Sequence, residues 1–189
     1  AGKRTVQKHL ERIIGKLLLD GTAKSVDVTV TMARGHARQT AAALMPGEYH
    51  LIIACGGDGT INEVVNGLME GRCGIPLAIL AAGTSNDFAY SLRLPDEVED
   101  FCAMVRAGNY RAIDIGRANN QYFINVAAFG MFTDVAHKTD QEAKNLFGKL
   151  AYYIQGIKDA PEQLLSGIPL KINSRENQLE GEFHLCLIA

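Results

Sequence analysis

Along residues 5–19, Val6, Leu10, Ile13, Ile14, Leu17 and Leu18 recur at i, i+4, i+7, i+8, i+11 and i+12, with Lys8, Glu11, Arg12 and Lys16 on the other face. That period predicts an amphipathic helix, and Asp20-Gly21 ends it. Val26, Val28 and Val30 then alternate with Asp27, Thr29 and Thr31, which predicts a half-covered strand. A helix of small residues is expected from His36 to Met45, broken by Pro46-Gly47. Leu51-Ile52-Ile53-Ala54-Cys55 and Pro76-Leu77-Ala78-Ile79-Leu80 are apolar without alternation, as strands covered on both faces of a parallel sheet are. Helical patterns follow both runs. The alternation of helix and strand predicts a doubly wound α/β layer.

The pattern changes near residue 109. Ile113-Asp114-Ile115, the polar turn Asn119-Asn120-Gln121 and Tyr122–Phe129 predict a hairpin. A longer helix is expected from Thr139 to Ala160. A second hairpin is expected from Leu170-Lys171-Ile172 through a turn at 174–177 to Leu179, Phe183, Leu185 and Leu187. The expected organisation is an α/β domain over 1–109, followed by the start of a β-sandwich-like second domain over 110–189. The chain opens on Ala1 rather than Met and ends in an apolar strand pattern, so it is read as a fragment incomplete at both ends.

Composition narrows the classes. With 47% apolar and 21% charged residues, the 189-residue chain is neither disordered nor collagen-like. Its longest apolar runs fall well short of the ~18 residues of a membrane helix. A net charge of −2 speaks against nucleic acid as a partner. The charge is uneven, +4 over residues 1–50 and −6 over the rest. Two differently solvated faces account for this, and an N-terminal surface that accepts phosphate or anionic headgroups is the sharper reading. Cys55, Cys73, Cys102 and Cys186 are widely spaced, as buried thiols of a cytoplasmic protein are.

The strongest chemical signal is Cys55-Gly56-Gly57-Asp58-Gly59-Thr60-Ile61-Asn62-Glu63, between a buried strand and a helix. Its glycines are expected to allow φ > 0 and close approach to a ligand. Thr60 and Glu63 have the spacing of a capping box. The N–H groups of the helix start make a phosphate site. A carboxylate among phosphates is repelled unless a cation lies between them. Asp58 is therefore read as holding Mg²⁺, directly or through water, or as positioning the reacting phosphoryl group. No Gly-Lys-[Ser/Thr] occurs, so this is no Walker A loop, and Asn62 stands where a dinucleotide fingerprint needs glycine.

A second turn, Ala82-Gly83-Thr84-Ser85-Asn86-Asp87-Phe88-Ala89, also joins a buried strand to a helix, with Thr84 as the expected cap and Asp87 at the third helical position. Paired turns at strand ends are where open α/β sheets bind ligands. Thr31-Met32-Ala33-Arg34-Gly35-His36 is a weaker third element, in which the Thr31 hydroxyl has reach to a nucleotide. His36 is given no role, and His9, His50, His137 and His184 lack metal-ligand spacing.

Gly56-Gly57-Asp58-Gly59-Thr60 resembles the motif of a kinase superfamily that includes diacylglycerol, sphingosine and NAD kinases and, more distantly, 6-phosphofructokinases. Gly83-Thr84-Ser85-Asn86-Asp87-Phe88-Ala89 narrows this to the bacterial soluble diacylglycerol kinase-type lipid kinases. Leu92-Arg93-Leu94-Pro95, Phe123-Ile124-Asn125 and Phe129-Gly130 match later landmarks, and Ala1-Gly2 resembles the tail of the family's first phosphate loop. The resemblance implies ATP contacts at Thr31, at Gly56, Gly57, Asp58, Gly59, Thr60, Ile61 and Asn62, and at Thr84. It implies that Asn86 and Asp87 support the pocket or its metal, with the active site in a cleft between an α/β domain and a β-sandwich. The Asp-Gly-Glu motif that carries the family's general base is absent, so that base is expected beyond Ala189. Glu180-Gly181-Glu182 falls on the second predicted hairpin and is not assigned the role.

The expected function is ATP- and Mg²⁺-dependent phosphorylation of the hydroxyl of diacylglycerol or a related lipid alcohol, giving a phosphatidic-acid-type product. The enzyme is expected to be cytoplasmic and to meet its lipid peripherally at the membrane surface. The alternatives are another acceptor, such as NAD or a sphingoid base, and a nucleotide-sensing module without turnover. Oligomeric state stays open, with a homodimer among the candidates.

Overall fold

The computed structural model describes residues 3–130, 167–173 and 178–188. The helix expected over 139–160 and the turn at 174–177 lie outside the described residues. The chain divides into two compact units, Ala1–Asn125 and Val126–Ala189.

The first unit is built on two parallel strands, β1 (Ile52–Gly56) and β2 (Leu77–Ala81), paired from Ile52↔Leu77 to Gly56↔Ala81. Successive side chains of a strand point to opposite faces, and both faces are covered here. On one, Ala78 and Leu80 meet Ile13 and Leu17 of α1 (Lys3–Leu19) and Val98, Phe101 and Cys102 of α5 (Val98–Ala107). On the other, Ala54 and Ile79 meet Ala37 and Ala41 of α2 (His36–Ala42), Ile61, Val64 and Val65 of α3 (Asp58–Gly71), and Phe88 and Ala89 of α4 (Asp87–Ser91). This is the expected doubly wound layer. The unbroken apolar runs are explained by burial on both faces. Helices α2 and α3 touch closely because Gly71 has no side chain: a Cβ there would lie 2.7 Å from the Ala42 carbonyl oxygen.

Three expectations change. The segment 26–30 has the strand alternation but forms no ladder among the described residues, and Val28 and Val30 are 56% and 70% exposed. Alternation fixes which face a side chain takes, while a strand also needs a neighbour for its backbone N–H and C=O groups. Helix α2 ends at Ala42, three residues before Met45. The first hairpin is shorter than expected: β3 (Gly116–Ala118) pairs with β4 (Gln121–Phe123) across a turn in which Asn119 adopts φ 54°.

That hairpin stays with the first compact unit, which runs to Asn125. Asn66 of α3, 3% exposed, holds it. Its Oδ1 accepts the Tyr122 N–H at 2.8 Å and its Nδ2 donates to the Tyr122 carbonyl at 2.9 Å, as a neighbouring strand would. The same Nδ2 also donates to the Asn62 carbonyl at 2.8 Å.

In the second unit, β5 (Ala127–Gly130) pairs antiparallel with β8 (Leu185–Ile188), and β6 (Ile168–Asn173) with β7 (Gln178–Phe183). Glu180-Gly181-Glu182 lies within β7, its two glutamates exposed, and Glu180 pairs with Lys171 at 2.9 Å. Among the described residues no helix is long and apolar enough to cross a membrane.

Candidate nucleotide site

Two turns leave the carboxyl ends of the paired parallel strands side by side: residues 56–60 after β1 and residues 82–87 after β2. The Ala82 N–H donates to the Gly56 carbonyl at 2.9 Å, which carries the ladder one step past the strands. Beyond it, Gly57 and Gly83 pack backbone on backbone. A Cβ on Gly57 would lie 3.0 Å from the Gly83 Cα. Gly57 itself has φ −91° and ψ −179°, ordinary extended backbone. The expectation of φ > 0 in this loop is therefore replaced by a different need: glycine is required by the approach of the second turn. Gly56 is restricted by its own loop, since a Cβ there would meet the Thr60 Cβ at 2.7 Å.

Asp58 joins the two turns. It is the first residue of α3, and its carboxylate reaches the first turn of α4. The Phe88 N–H donates to Oδ1 at 3.2 Å and the Asp87 N–H to Oδ2 at 3.3 Å. The N-terminal N–H groups of a helix have no partner within it; here a side chain from another helix supplies one. The carboxylate thus stands at the start of its own helix and beside the first N–H groups of α4. Asn86, at the N-cap position of α4 in the left-handed region (φ 55°), folds back on Gly83. The Gly83 N–H donates to its Oδ1 at 2.8 Å, and its Nδ2 donates to the Gly83 carbonyl at 3.2 Å.

The local caps expected from sequence are rearranged. Helix α3 begins at Asp58 after Gly57, so Thr60 lies inside it and does not cap. Glu63 turns away from Thr60 and accepts the N–H of Gly35 at 2.8 Å. Asn86 rather than Thr84 occupies the N-cap position of α4, and Asp87 becomes the first helical residue instead of the third.

The remaining candidates divide by environment. Gly59 and Thr84 are exposed, as is Thr31 in its own turn, while Thr60 and Asn62 are half-buried. Ile61 is 2% exposed and its N–H donates to the Gly57 carbonyl, so its side chain anchors the turn in the core. Beneath the turn, burial pushes the Cys55 thiol above its ordinary pKa, which keeps it an inert thiol. His36 and Glu63 brace the turn that starts α2, a structural part that sequence reasoning gives to neither. The Met32 N–H donates to His36 Nδ1 at 3.1 Å, which closes the 31–36 turn.

The cradle fits a polyphosphate. Gly59 needs no glycine for its backbone, and a Cβ there would meet nothing within 4 Å. The missing side chain leaves the helix start open. For a cation the fit is partial: no group of three or more His, Cys, Asp or Glu that could hold a metal occurs among the described residues. Both Asp58 oxygens already accept an N–H, with a second lone pair left on each.

The family model for the diacylglycerol kinase catalytic domain matches residues 1–118. A diacylglycerol kinase of Staphylococcus epidermidis is 36% identical over 188 residues, covering 100% of this chain and 58% of that protein. One of Staphylococcus saprophyticus is 34% identical over 188 residues, covering 100% of this chain and 60% of its own length. The crystal structure of a diacylglycerol kinase from Bacillus anthracis superposes with a TM-score of 0.68 at 26% identity, over 96% of this chain and 57% of that one. The chain thus spans less than two thirds of the relatives it matches. The matched span contains both glycine turns, the Asp58 bridge and the turn at Thr31, and with it the chain belongs to the diacylglycerol kinase catalytic domain family.

Proposed function

We propose that the native protein carrying this sequence is an ATP-dependent lipid kinase. It transfers the γ-phosphoryl group of ATP to the free hydroxyl of diacylglycerol or a related lipid alcohol, giving a phosphatidic-acid-type product. The observation that carries the nucleotide half is the Gly57–Gly83 contact locked by Asp58, which sets an open helix start beside a second turn at adjoining strand ends. The acceptor half rests on the family and on what the relatives are named for.

In this reading the ATP phosphates rest on the N–H groups of residues 58–60, where Gly57 offers no capping side chain. Thr31 and Thr84 offer hydroxyls to the nucleotide. Asn86 and Asp87 act on the pocket through the 83–87 turn, which Asn86 shapes and Asp58 holds. Mg²⁺, when bound with ATP, neutralises phosphate charge. It would draw most of its ligands from phosphate oxygens and water, with Asp58 reaching it by a free lone pair or through water. Positioning and charge neutralisation then account for most of the catalysis. The enzyme would be cytoplasmic and meet its lipid at the bilayer surface.

The test is an acceptor panel with the native protein. Diacylglycerol, sphingosine and NAD are each offered with Mg-ATP, the lipids in mixed micelles. Phosphorylation of diacylglycerol in preference to the others supports the proposal. Transfer to NAD or sphingosine alone would move the acceptor. ATP binding without transfer to any would replace the kinase by a nucleotide sensor.

A further inference from the structure

Two carboxylates leave α3 and take backbone N–H groups from the elements on either side. Asp58 does so for α4, and Glu63, five residues on, does so for the turn that starts α2. Glu63 Oε1 accepts the N–H of Gly35 at 2.8 Å in a part-buried setting. Gly35 stands at the N-cap position of α2 with φ 83°, and has no side chain of its own to brace the turn. Inside the turn the Met32 N–H donates to His36 Nδ1, and the His36 N–H donates to the Ala33 carbonyl at 3.2 Å. The outer side of the turn is bare: Thr31, Met32, Ala33 and Arg34 are all exposed, Met32 to 83%.

An exposed hydroxyl, a polarisable thioether and a guanidinium, held against the helix that takes the phosphates, have the chemistry to grip a nucleoside. The hydroxyl suits a ribose or base polar edge, the thioether the flat face of a base, and the guanidinium a stacked ring or an α-phosphate. We infer that Glu63 is a positioning residue for ATP: its bond to Gly35 fixes the 31–35 turn on α3, so that the turn receives the nucleoside while α3 receives the phosphates. This rests on the nucleotide site proposed above. Its Oε1 accepts the Gly35 N–H, so the inferred route of action is through Gly35.

The test separates the two halves of the ligand. ATP and inorganic tripolyphosphate are titrated into the native protein by calorimetry, without lipid. Glu63→Ala should weaken ATP about tenfold or more, while tripolyphosphate binding stays within about twofold. Glu63→Gln keeps the acceptor oxygen and should restore most of the ATP affinity. Glu63→Asp keeps the charge but is one methylene too short, and should resemble Glu63→Ala even if the latter folds poorly. In turnover, KM for ATP should rise while kcat holds. Equal loss of both ligands would overturn the inference by placing Glu63 in the phosphate machinery, and no loss of either would overturn it as well. If the unmutated protein bound neither ligand, the nucleotide site itself would fall, and the inference with it.

Discussion

A Cβ added to Gly83 would lie 2.5 Å from the Cα of Gly57 and 2.7 Å from Asn86 Oδ1. The first atom is backbone and cannot swing aside. Gly83→Ala is therefore expected to force the two turns apart at a cost of about 1–3 kcal/mol and to weaken ATP binding at least about tenfold. Thermal melts and ATP titration of the same variant check this. ATP affinity equal to that of the unmutated protein would show that the contact does not shape the site.

Asp58 accepts two N–H groups of α4, so its removal affects structure as well as chemistry. Asp58→Ala should lose about 1–2 kcal/mol, the range of a lost helix cap, and turnover should fall by about a hundredfold or more. Asp58→Asn keeps one acceptor oxygen. It should recover much of the stability but little of the turnover. Denaturant unfolding and steady-state rates on the pair separate the structural share from the chemical one.

Asn66 is buried, and Tyr122 depends on it for both backbone hydrogen bonds described above. Asn66→Leu keeps the approximate volume and leaves a part-buried N–H and C=O of Tyr122 without these partners. A loss of about 2–4 kcal/mol is expected, with faster amide exchange at Tyr122. A change below about 0.5 kcal/mol, the level of an ordinary surface substitution, would contradict the clamp.

Acid stability has a local signature at Asp20. Its carboxyl is lowered from 3.8 to about 2, first by the hydrogen bond from the Thr22 side chain and then by Arg106 of α5. A depressed folded-state pKa adds stability above the unfolded value and loses it as pH falls through the folded one. The contribution is thus complete above about pH 4 and fades toward pH 2. Stability curves of the protein and of Asp20→Asn should differ most above pH 4 and converge near pH 2. Parallel curves across that window would exclude the Asp20 contribution.

Much of the layer is legible in the sequence because its signals are local. Unbroken apolar runs at 51–55 and 76–80 report strands covered on both faces, and the period at Leu10, Ile13 and Leu17 reports the face of α1 that packs on them. The site is legible only in outline. The glycines announce a tight turn, but not that Gly57 serves the approach of Gly83 instead of a positive φ. Local spacing pairs Glu63 with Thr60, whereas the folded chain offers Glu63 the N–H of Gly35, 28 residues away. Asp58 likewise finds its partners 29 and 30 residues on. Such bonds depend on which elements come to lie side by side. Asn66 does leave a trace, a polar residue among Val64, Val65 and Gly67 in a stretch buried all round, where a polar group needs a partner.

The most direct test of the central claim follows labelled γ-phosphate from Mg-ATP to diacylglycerol in mixed micelles, using the native protein beside Asp58→Ala and Gly83→Ala. Labelled phosphatidic acid that forms with the native protein and collapses in both variants is the predicted result. Full transfer in either variant would contradict the role given to the locked pair of turns, and no labelled lipid from a native protein that binds ATP would contradict the lipid kinase.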